Sequence, residues 1–330
     1  MSAGQSRSVE VLEPGIQATV QDYRGRPGML RQGFFPSGAM DPFAMQSANL
    51  LVGNPPEAAG IEVTLGGFAI RLDGDAAVAV CGAEGEVTVD GEALAPWSGR
   101  SARAGSELRI SISPGPGFRF YVAVSGGIDV PELFDSRATY TMGGLGGFEG
   151  RKLSAGDRLP LGAASDGRPR KLAESARPTY SREWEIEAMR GPQAAPDYLT
   201  EGDMEEFFSR SWKVDRNSDR TGVRLESHRF EWARRSGGVA GGHPSNILDN
   251  PYPVGAVNIN GDLPVLLGPD GPTAGGFIVA ATVIRPALWK LGQLRPIGDH
   301  VRFREVSLEE AVGLEQELAA RLSDGNLQDA

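Results

Sequence analysis

Apolar and polar residues alternate with a period of two over several short stretches of the chain. Leu108, Ile110 and Ile112 alternate with Arg109, Ser111 and Ser113, and Phe118, Phe120, Val122 and Val124 repeat at the same spacing. Successive side chains of a strand point to opposite faces, so this period predicts strands with one apolar face. Val87-Thr88-Val89 runs into Asp90-Gly91, and residues 254–259 run into Asn260-Gly261 before a second apolar run at Leu263–Leu267. Asp-Gly and Asn-Gly accept the positive φ of tight hairpin turns, so two hairpins are predicted. The 45 glycines and 23 prolines are spread along the whole chain, which indicates many short strands joined by turns.

Helical signals are fewer. Asp41-Pro42 offers an N-cap and a proline at the first helical position; Ala44, Ala48 and Leu51 then share a face, and Gly53 ends the run. Residues 200–209 form a second candidate, with Met204, Phe207 and Phe208 apolar, and residues 286–291 a short one closed by Gly292. Ser307 and Glu310 make a capping box, after which Leu308, Ala311, Leu314, Leu318 and Leu322 line one side of a terminal helix.

A polar stretch at 163–177 without apolar periodicity marks a boundary between an N-terminal domain at 1–165 and a C-terminal domain at 178–330. Leu153-Ser-Ala-Gly156-Asp157-Arg-Leu159 is echoed by Leu294-Arg-Pro-Ile-Gly298-Asp299-His-Val301. Each reads as a turn feeding a closing strand, and together they suggest two halves of related architecture.

Composition narrows the function. At 330 residues with 40% hydrophobic content, the chain can bury two cores. A formal charge of −10 repels phosphate backbones and argues against nucleic acid as a partner. No apolar run approaches the roughly 20 residues that span a bilayer, and residues 1–7 lack a signal-peptide core. The single cysteine, Cys81, excludes an internal disulfide and a cysteine-built metal cluster, and a reducing, cytoplasmic home is expected. Cys81 lies in an apolar run and reads as a buried thiol. His228, His243 and His300 show no ligand spacing, so no metal site is expected. The sequence holds no phosphate-binding Gly-x-x-x-x-Gly-Lys-Ser/Thr loop and no Gly-x-Ser-x-Gly elbow, and the cluster Gly143-Gly-Leu-Gly-Gly-Phe-Glu-Gly150 misses the dinucleotide spacing. Any chemistry must come from carboxylates, amides, histidine and backbone N–H groups.

Those groups concentrate between Gly242 and Gly276, where His243, Asn246, Asp249, Asn250, Tyr252 and Asp270 sit among prolines and glycines that force sharp turns. A stiff loop dense in acid, base and amide groups suits an active site; the same residue types also build ordinary turns.

The motifs of this region belong to a longer pattern. Thr19-Val-Gln-Asp22, Gly38-Ala-Met-Asp41, Ala48-Asn-Leu-Leu-Val-Gly-Asn54, Glu62-Val-Thr-Leu-Gly66 and Gly126-Gly-Ile-Asp-Val-Pro131 are followed by Asn217-Ser-Asp-Arg-Thr-Gly-Val-Arg224, His243-Pro-Ser-Asn-Ile-Leu-Asp-Asn250, Gly268-Pro-Asp-Gly-Pro-Thr-Ala-Gly-Gly276 and Leu288-Trp-Lys-Leu-Gly-Gln-Leu-Arg295. Over roughly residues 10 to 305 the chain resembles the carboxyltransferase region of urea carboxylase, the biotin-dependent part of urea amidolyase. This is the family often labelled allophanate hydrolase subunit 2 or KipA-like, and it includes one of the subunits of bacterial 5-oxoprolinase. Two departures stand out: Leu248 replaces a histidine of the urea carboxylase pattern, and Ile297 lengthens an Arg-Pro-Gly-Asp turn by one residue.

The resemblance implies a mainly β fold with few helices, in two cyclophilin-like β-barrel domains. It implies carboxybiotin delivered by a carrier protein, no nucleotide or metal on this chain, and a KipI-like or allophanate hydrolase subunit 1-like partner. Biotin carboxylase and biotin carrier proteins complete the set, with urea or a related small amide as substrate. Two alternatives stay open: a subunit of an ATP-dependent amidohydrolase of the 5-oxoprolinase or allophanate hydrolase type, and a non-catalytic antagonist that binds a KipI-like regulator.

Carboxyl transfer needs donors at the biotin ureido oxygen, a base for the acceptor amide, and exclusion of water. On the resemblance, Asp270 or Asp249 is the base, and His243 moves a proton or holds a carboxylate. Asn217, Asn246 and Asn250 contact the acceptor or the ureido group, Arg220 clamps an anion, and Tyr252 stacks on a ligand or forms an apolar wall. The turn with Gly271, Gly275 and Gly276 offers backbone N–H groups. Competing local readings are an Asx-turn for Asp249 and an ion pair of Arg220 with Asp219 or Asp215. Lys290 is expected to be solvated, and Arg31 and Gln32 to sit in a loop that faces the site.

Overall fold

The computed structural model describes residues 7–164 and 168–330. Residues 1–6 of the segment read for a leader, and 165–167 of the expected linker, lie outside the described residues. The chain is mainly β, with four α-helices among the described residues. It divides into two compact units. One holds the chain up to Pro27, Ser37–Tyr180 and Ala319–Ala330; the other holds Gly28–Pro36 and Ser181–Leu318.

In the first unit the strands form a six-stranded sheet (in order Arg158–Pro160, Ser8–Pro14, Phe68–Leu72, Glu107–Ile110, Val87–Val89, Glu92–Ala93) and a five-stranded one (Gln17–Gln21, Gly60–Thr64, Arg119–Val124, Ala76–Gly82, Gly99–Ala102). Both sheets contribute to one apolar cluster that includes Val9, Ile61, Val63, Ile70, Val78, Leu108, Phe120 and Val122. The Asp90-Gly91 hairpin forms as its residues demand, with φ of 54° and 81° at the two turn positions. Ile112, which continues the alternation of Leu108 and Ile110, falls beyond the strand and is exposed.

The Arg119–Val124 strand is buried on both faces, so its polar positions need partners. Phe120, Val122 and Val124 enter the core. On the other face the Tyr121 hydroxyl donates to Glu62 Oε2 (2.9 Å) and accepts from the Asp41 N–H (2.7 Å). Asp41 in turn caps the Pro42–Leu51 helix through the Ala44 N–H (2.8 Å). Such a cap is worth about 1 kcal/mol. Burial and the Glu62 and Asp41 carboxylates push the Tyr121 phenol well up, which keeps it a donor.

The second unit is an eight-stranded sheet. Its main path runs Trp212–Lys213, His300–Glu305, Glu183–Arg190, Ala274–Val283, Ala256–Asn260, Leu263–Leu267, Gly222–Arg224, and Asn246–Pro251 also pairs with Ala274–Val283. The second hairpin also forms, but its two-residue turn is Gly261-Asp262, with Asn260 paired to Leu263 in the strands and Gly261 at φ of 64°. The residues 200–209 begin with a capping box between Thr200 and Asp203 and form the helix Glu201–Ser209. Before the closing strands, Asp157 accepts two hydrogen bonds from Arg151, and Asp299 accepts from the Trp184 indole (2.9 Å) and the Arg295 N–H (2.9 Å). The extra residue Ile297 sits exposed in the turn with φ of 70°. The Ser307–Glu310 capping box is present, and helix Leu308–Arg321 follows. Its apolar stripe is only half-buried, however, and Leu308 is exposed: no position of this helix is buried.

Candidate functional site

The expected site residues all lie in the second unit, in three groups. The first joins two turns. Arg220 and Asp270 are 5% and 4% exposed and form a bidentate pair, Nε to Oδ2 at 2.7 Å and Nη2 to Oδ1 at 3.2 Å. Asp219 accepts from the Thr221 N–H (2.8 Å). The backbones are cross-linked too. The Asp270 N–H donates to Arg220 O (3.2 Å), the Gly268 N–H to Thr221 O (3.1 Å) and the Gly271 N–H to Gly268 O (3.0 Å). Three amides of the glycine turn are therefore already bonded. A Cβ on Gly271 would lie 2.5 Å from Thr221 O, so the close crossing of the turns requires glycine there. Asn217 stands apart, exposed, with its amide donating to Asp215 Oδ1 (2.7 Å).

The second group surrounds His243. Its Nδ1 faces the Ser245 N–H (3.1 Å) and the Ser245 Oγ (2.9 Å). Ser245 is fully buried, and its Oγ accepts from the Gly261 N–H (3.0 Å). The Trp232 ring meets the imidazole edge to face, with centroids 5.4 Å apart. Trp232 occupies the left-handed region (φ 61°) and is held there by Asp203. The Asp203 carboxylate accepts from Thr200 N and Oγ1 and from the N–H groups of Glu231 and Trp232, at 2.8–3.1 Å. From the loop's other side Arg234 donates to the carbonyls of Pro244 (2.8 Å) and Asn246 (2.7 Å) while its guanidinium lies over Tyr198 at 4.2 Å. Ser245 and Trp232 thus contact the imidazole directly, while Asp203 holds Trp232 and Arg234 holds the loop backbone, the kind of support a functional side chain requires.

The third group is a strand irregularity. Asn246 lies opposite Phe277 and Asn250 opposite Gly275, so Ile247, Leu248 and Asp249 bulge across the single residue Gly276. The two asparagines sit against positions about 7 Å apart on the partner strand. Leu248, where the family resemblance expects histidine, is 75% exposed on this bulge. Asp249 is exposed, and its Oδ1 accepts from the N–H of the next residue, Asn250 (3.0 Å), one residue short of the i to i+2 bond of an Asx-turn. The Asn250 carboxamide donates to Pro251 O (3.0 Å) and accepts from Gln193 (3.4 Å).

Tyr252 closes the irregularity from inside. It is 2% exposed, and its hydroxyl donates to Phe277 O (2.8 Å) and accepts from the Phe277 N–H (2.7 Å). It stands in for a missing strand partner and presents no face for stacking on a ligand. Burial raises its phenol. A Cβ at Gly275 would lie 2.8 Å from the Tyr252 ring, and one at Gly276 3.1 Å from Ile247 O, so both glycines admit the packing of this bulge.

Lys290 departs from its expected solvation: its ammonium is held by Glu187 (2.7 Å) and Glu185 O (2.8 Å). Arg31 and Gln32 are exposed in the short turn Met29–Gln32. The supporting residues Asp203, Trp232, Arg234 and Ser245 were not anticipated, because each acts on a partner that sequence spacing does not reveal; only Thr200 and Asp203, three apart, carry a local capping signal. No group of three or more His, Cys, Asp or Glu suited to a metal occurs among the described residues, and no helix there is long and apolar enough to cross a membrane.

The family model described as carboxyltransferase domain, subdomain A and B, matches residues 32–305. Urea amidolyase of Saccharomyces cerevisiae is 39% identical over 327 residues, an alignment that covers 96% of this chain and 18% of the yeast protein. A 5-oxoprolinase subunit of Escherichia coli is 32% identical over 313 residues, with 94% of each chain covered. Among solved structures, Kluyveromyces lactis urea carboxylase superposes with a TM-score of 0.91 at 37% identity, covering 99% of this chain and 31% of that one. The chain therefore spans only a small part of the urea amidolyases it matches.

Proposed function

The chain belongs to the carboxyltransferase domain family, subdomains A and B, and we propose that it is the carboxyltransferase component of a biotin-dependent enzyme that acts on urea or a related small amide. The observation that carries this reading is that the likeness to a urea carboxylase covers 99% of the chain at 37% identity. The carrier and biotin carboxylase components lie outside these residues, and a KipI-like, subunit 1-like component works beside this one.

The residues at hand suit such ligands. A ureido ring and a urea each combine a carbonyl acceptor with flanking N–H donors, and the carboxamides of Asn246 and Asn250 offer the matching donor and acceptor pair. Carboxybiotin, when bound, supplies the carboxyl group. His243, Asn246 and Asn250 bind and orient the acceptor. Asp249, exposed on the bulge with one carboxylate oxygen on its own loop, takes the acceptor's proton. Arg220 and Asp270 hold each other, and their part is to fix the Gly268–Gly271 turn with Gly271 inside it. Asn217 belongs to the rim, and Tyr252, Gly275 and Gly276 shape the wall.

The test is reconstitution with the carrier, the biotin carboxylase and the subunit 1-like component. Labelled bicarbonate should enter a carboxylated urea or amide only when this chain is present. Label reaching the acceptor equally well without it would reject the reading.

A second reading is favoured by one observation: the chain and the E. coli 5-oxoprolinase subunit match over nearly their full lengths. In that case the complex opens 5-oxoproline with ATP, the nucleotide chemistry residing in another subunit. Glutamate formed from 5-oxoproline, with no bicarbonate incorporated, identifies it.

A further inference from the structure

His243 is built to donate a hydrogen bond, and Ser245 is what makes it so. A backbone N–H can only donate, and the Ser245 N–H points at His243 Nδ1 from 3.1 Å. The Ser245 hydroxyl lies 2.9 Å from the same nitrogen. Its oxygen already accepts from the Gly261 N–H, so its proton is left to donate. The two acceptors in reach are His243 Nδ1 at 2.9 Å and Asn246 Oδ1 at 3.5 Å, and the shorter bond is the better one. Nδ1 thus presents its single lone pair to the Ser245 N–H, with the hydroxyl sharing it, and in the neutral ring the proton resides on Nε2. Trp232, edge to face at 5.4 Å, fixes the plane of that ring. No hydrogen bond to Nε2 is formed among the described residues, which leaves this N–H for a ligand.

We propose that Ser245 is a positioning residue that locks His243 in the Nε2–H form, so that the imidazole serves the carboxyl-transfer site as a fixed neutral donor to a ligand oxygen and not as the base. The proposal rests on the carboxyltransferase reading for the identity of that ligand, a ureido or carboxamide carbonyl, while the lock itself is a property of the free chain. A neutral donor suits an oxygen that gains negative charge during transfer, since it needs no proton movement in order to stabilise it.

Two measurements test it. Long-range proton–nitrogen spectra of the full chain labelled at its three histidines, assigned with His228→Gln and His300→Gln, should show His243 protonated on Nε2 alone in the neutral ring. In Ser245→Ala a share of the Nδ1–H form should appear, and Ser245→Thr should restore the wild-type pattern. In the reconstituted complex, His243→Ala should lower kcat by about 100-fold, the usual loss for one donor, whereas His243→Gln, which places an amide N–H near Nε2, should stay within roughly 10-fold of wild type. A wild-type ring protonated on Nδ1, or a His243→Gln variant as impaired as His243→Ala, would overturn the proposal. If Ser245→Ala does not fold, the wild-type spectrum and the two His243 variants still decide. If the wild-type complex transfers no carboxyl group at all, the functional reading fails, and the spectrum alone tells whether the lock exists.

Discussion

Arg220 and Asp270, fifty residues apart, grip each other by two parallel hydrogen bonds inside the protein, with both side chains almost fully buried. Each offsets the charge of the other inside the protein. Removing one partner of such a buried pair costs about 3–5 kcal/mol, whereas replacing both with apolar groups of similar volume is often neutral. Asp270→Asn should therefore lower the denaturation midpoint markedly, and Arg220→Lys should not rescue the geometry, because lysine cannot reproduce the planar fork. Arg220→Met combined with Asp270→Leu should recover most of the lost stability. Urea unfolding followed by circular dichroism measures all three. A fully stable but inactive Asp270→Asn would point instead to a chemical role for this carboxylate.

The Tyr252 hydroxyl serves both backbone polar groups of Phe277, twenty-five residues further along the chain. Tyr252→Phe leaves a buried N–H and a carbonyl without that partner, at a cost of about 1–3 kcal/mol. Hydrogen exchange at Phe277 should accelerate in this variant, while amides of the first unit keep wild-type protection. Unchanged exchange at Phe277 would show that the hydroxyl does not close the bulge.

Asp203 holds the left-handed turn at Trp232 and completes the capping box of its own helix by accepting from the Thr200 N–H. Asp203→Ala leaves the Thr200 cap on the backbone N–H of residue 203 but removes the reciprocal half of the capping box and orphans two loop amides, and should cost about 1–3 kcal/mol. Its wider effect should be a disordered His243 loop. Limited proteolysis should then cut within residues 231–243 at protease levels that leave the wild type intact. Cleavage confined to other loops would contradict the clamp.

Acid stability offers a check on the first unit. The two hydrogen bonds from Arg151, helped by the Ser154 N–H, hold the Asp157 carboxyl below its ordinary value of 3.8. A carboxyl depressed in the folded chain binds its proton more tightly when unfolded, so its stabilisation is complete above the ordinary value and is lost as pH falls through the depressed one. The Tm difference between the wild type and Asp157→Asn should therefore be greatest near neutral pH and shrink below about 3.8. A difference that widened on acidification would contradict the assignment.

How much of this could be read from the sequence follows from the range of each interaction. The hairpin at Asp90-Gly91 and the caps at Asp41 and Ser307 are local devices that form as their residues require, and the second hairpin forms with its turn one residue later than the Asn260-Gly261 pair, at Gly261-Asp262. The site was legible as a loop but not as an arrangement. Nothing near Asp270 in the chain announces Arg220, nothing near Lys290 announces Glu187, and nothing near Tyr252 announces Phe277 as its partner. Ser245 reads as one more turn residue until its two contacts with His243 are seen. Leu308 misled in the opposite sense: its spacing fits an apolar stripe, but the helix surface it continues is not covered.

The most direct test of the functional account is transfer of labelled carbon from bicarbonate to urea or a small-amide acceptor by the reconstituted complex, measured with wild type and His243→Ala in parallel. The account predicts ATP-dependent label in the carboxylated acceptor with wild type and about a hundredth of that rate with the variant. Equal rates for the two, or 5-oxoproline opened with no label incorporated, would contradict it.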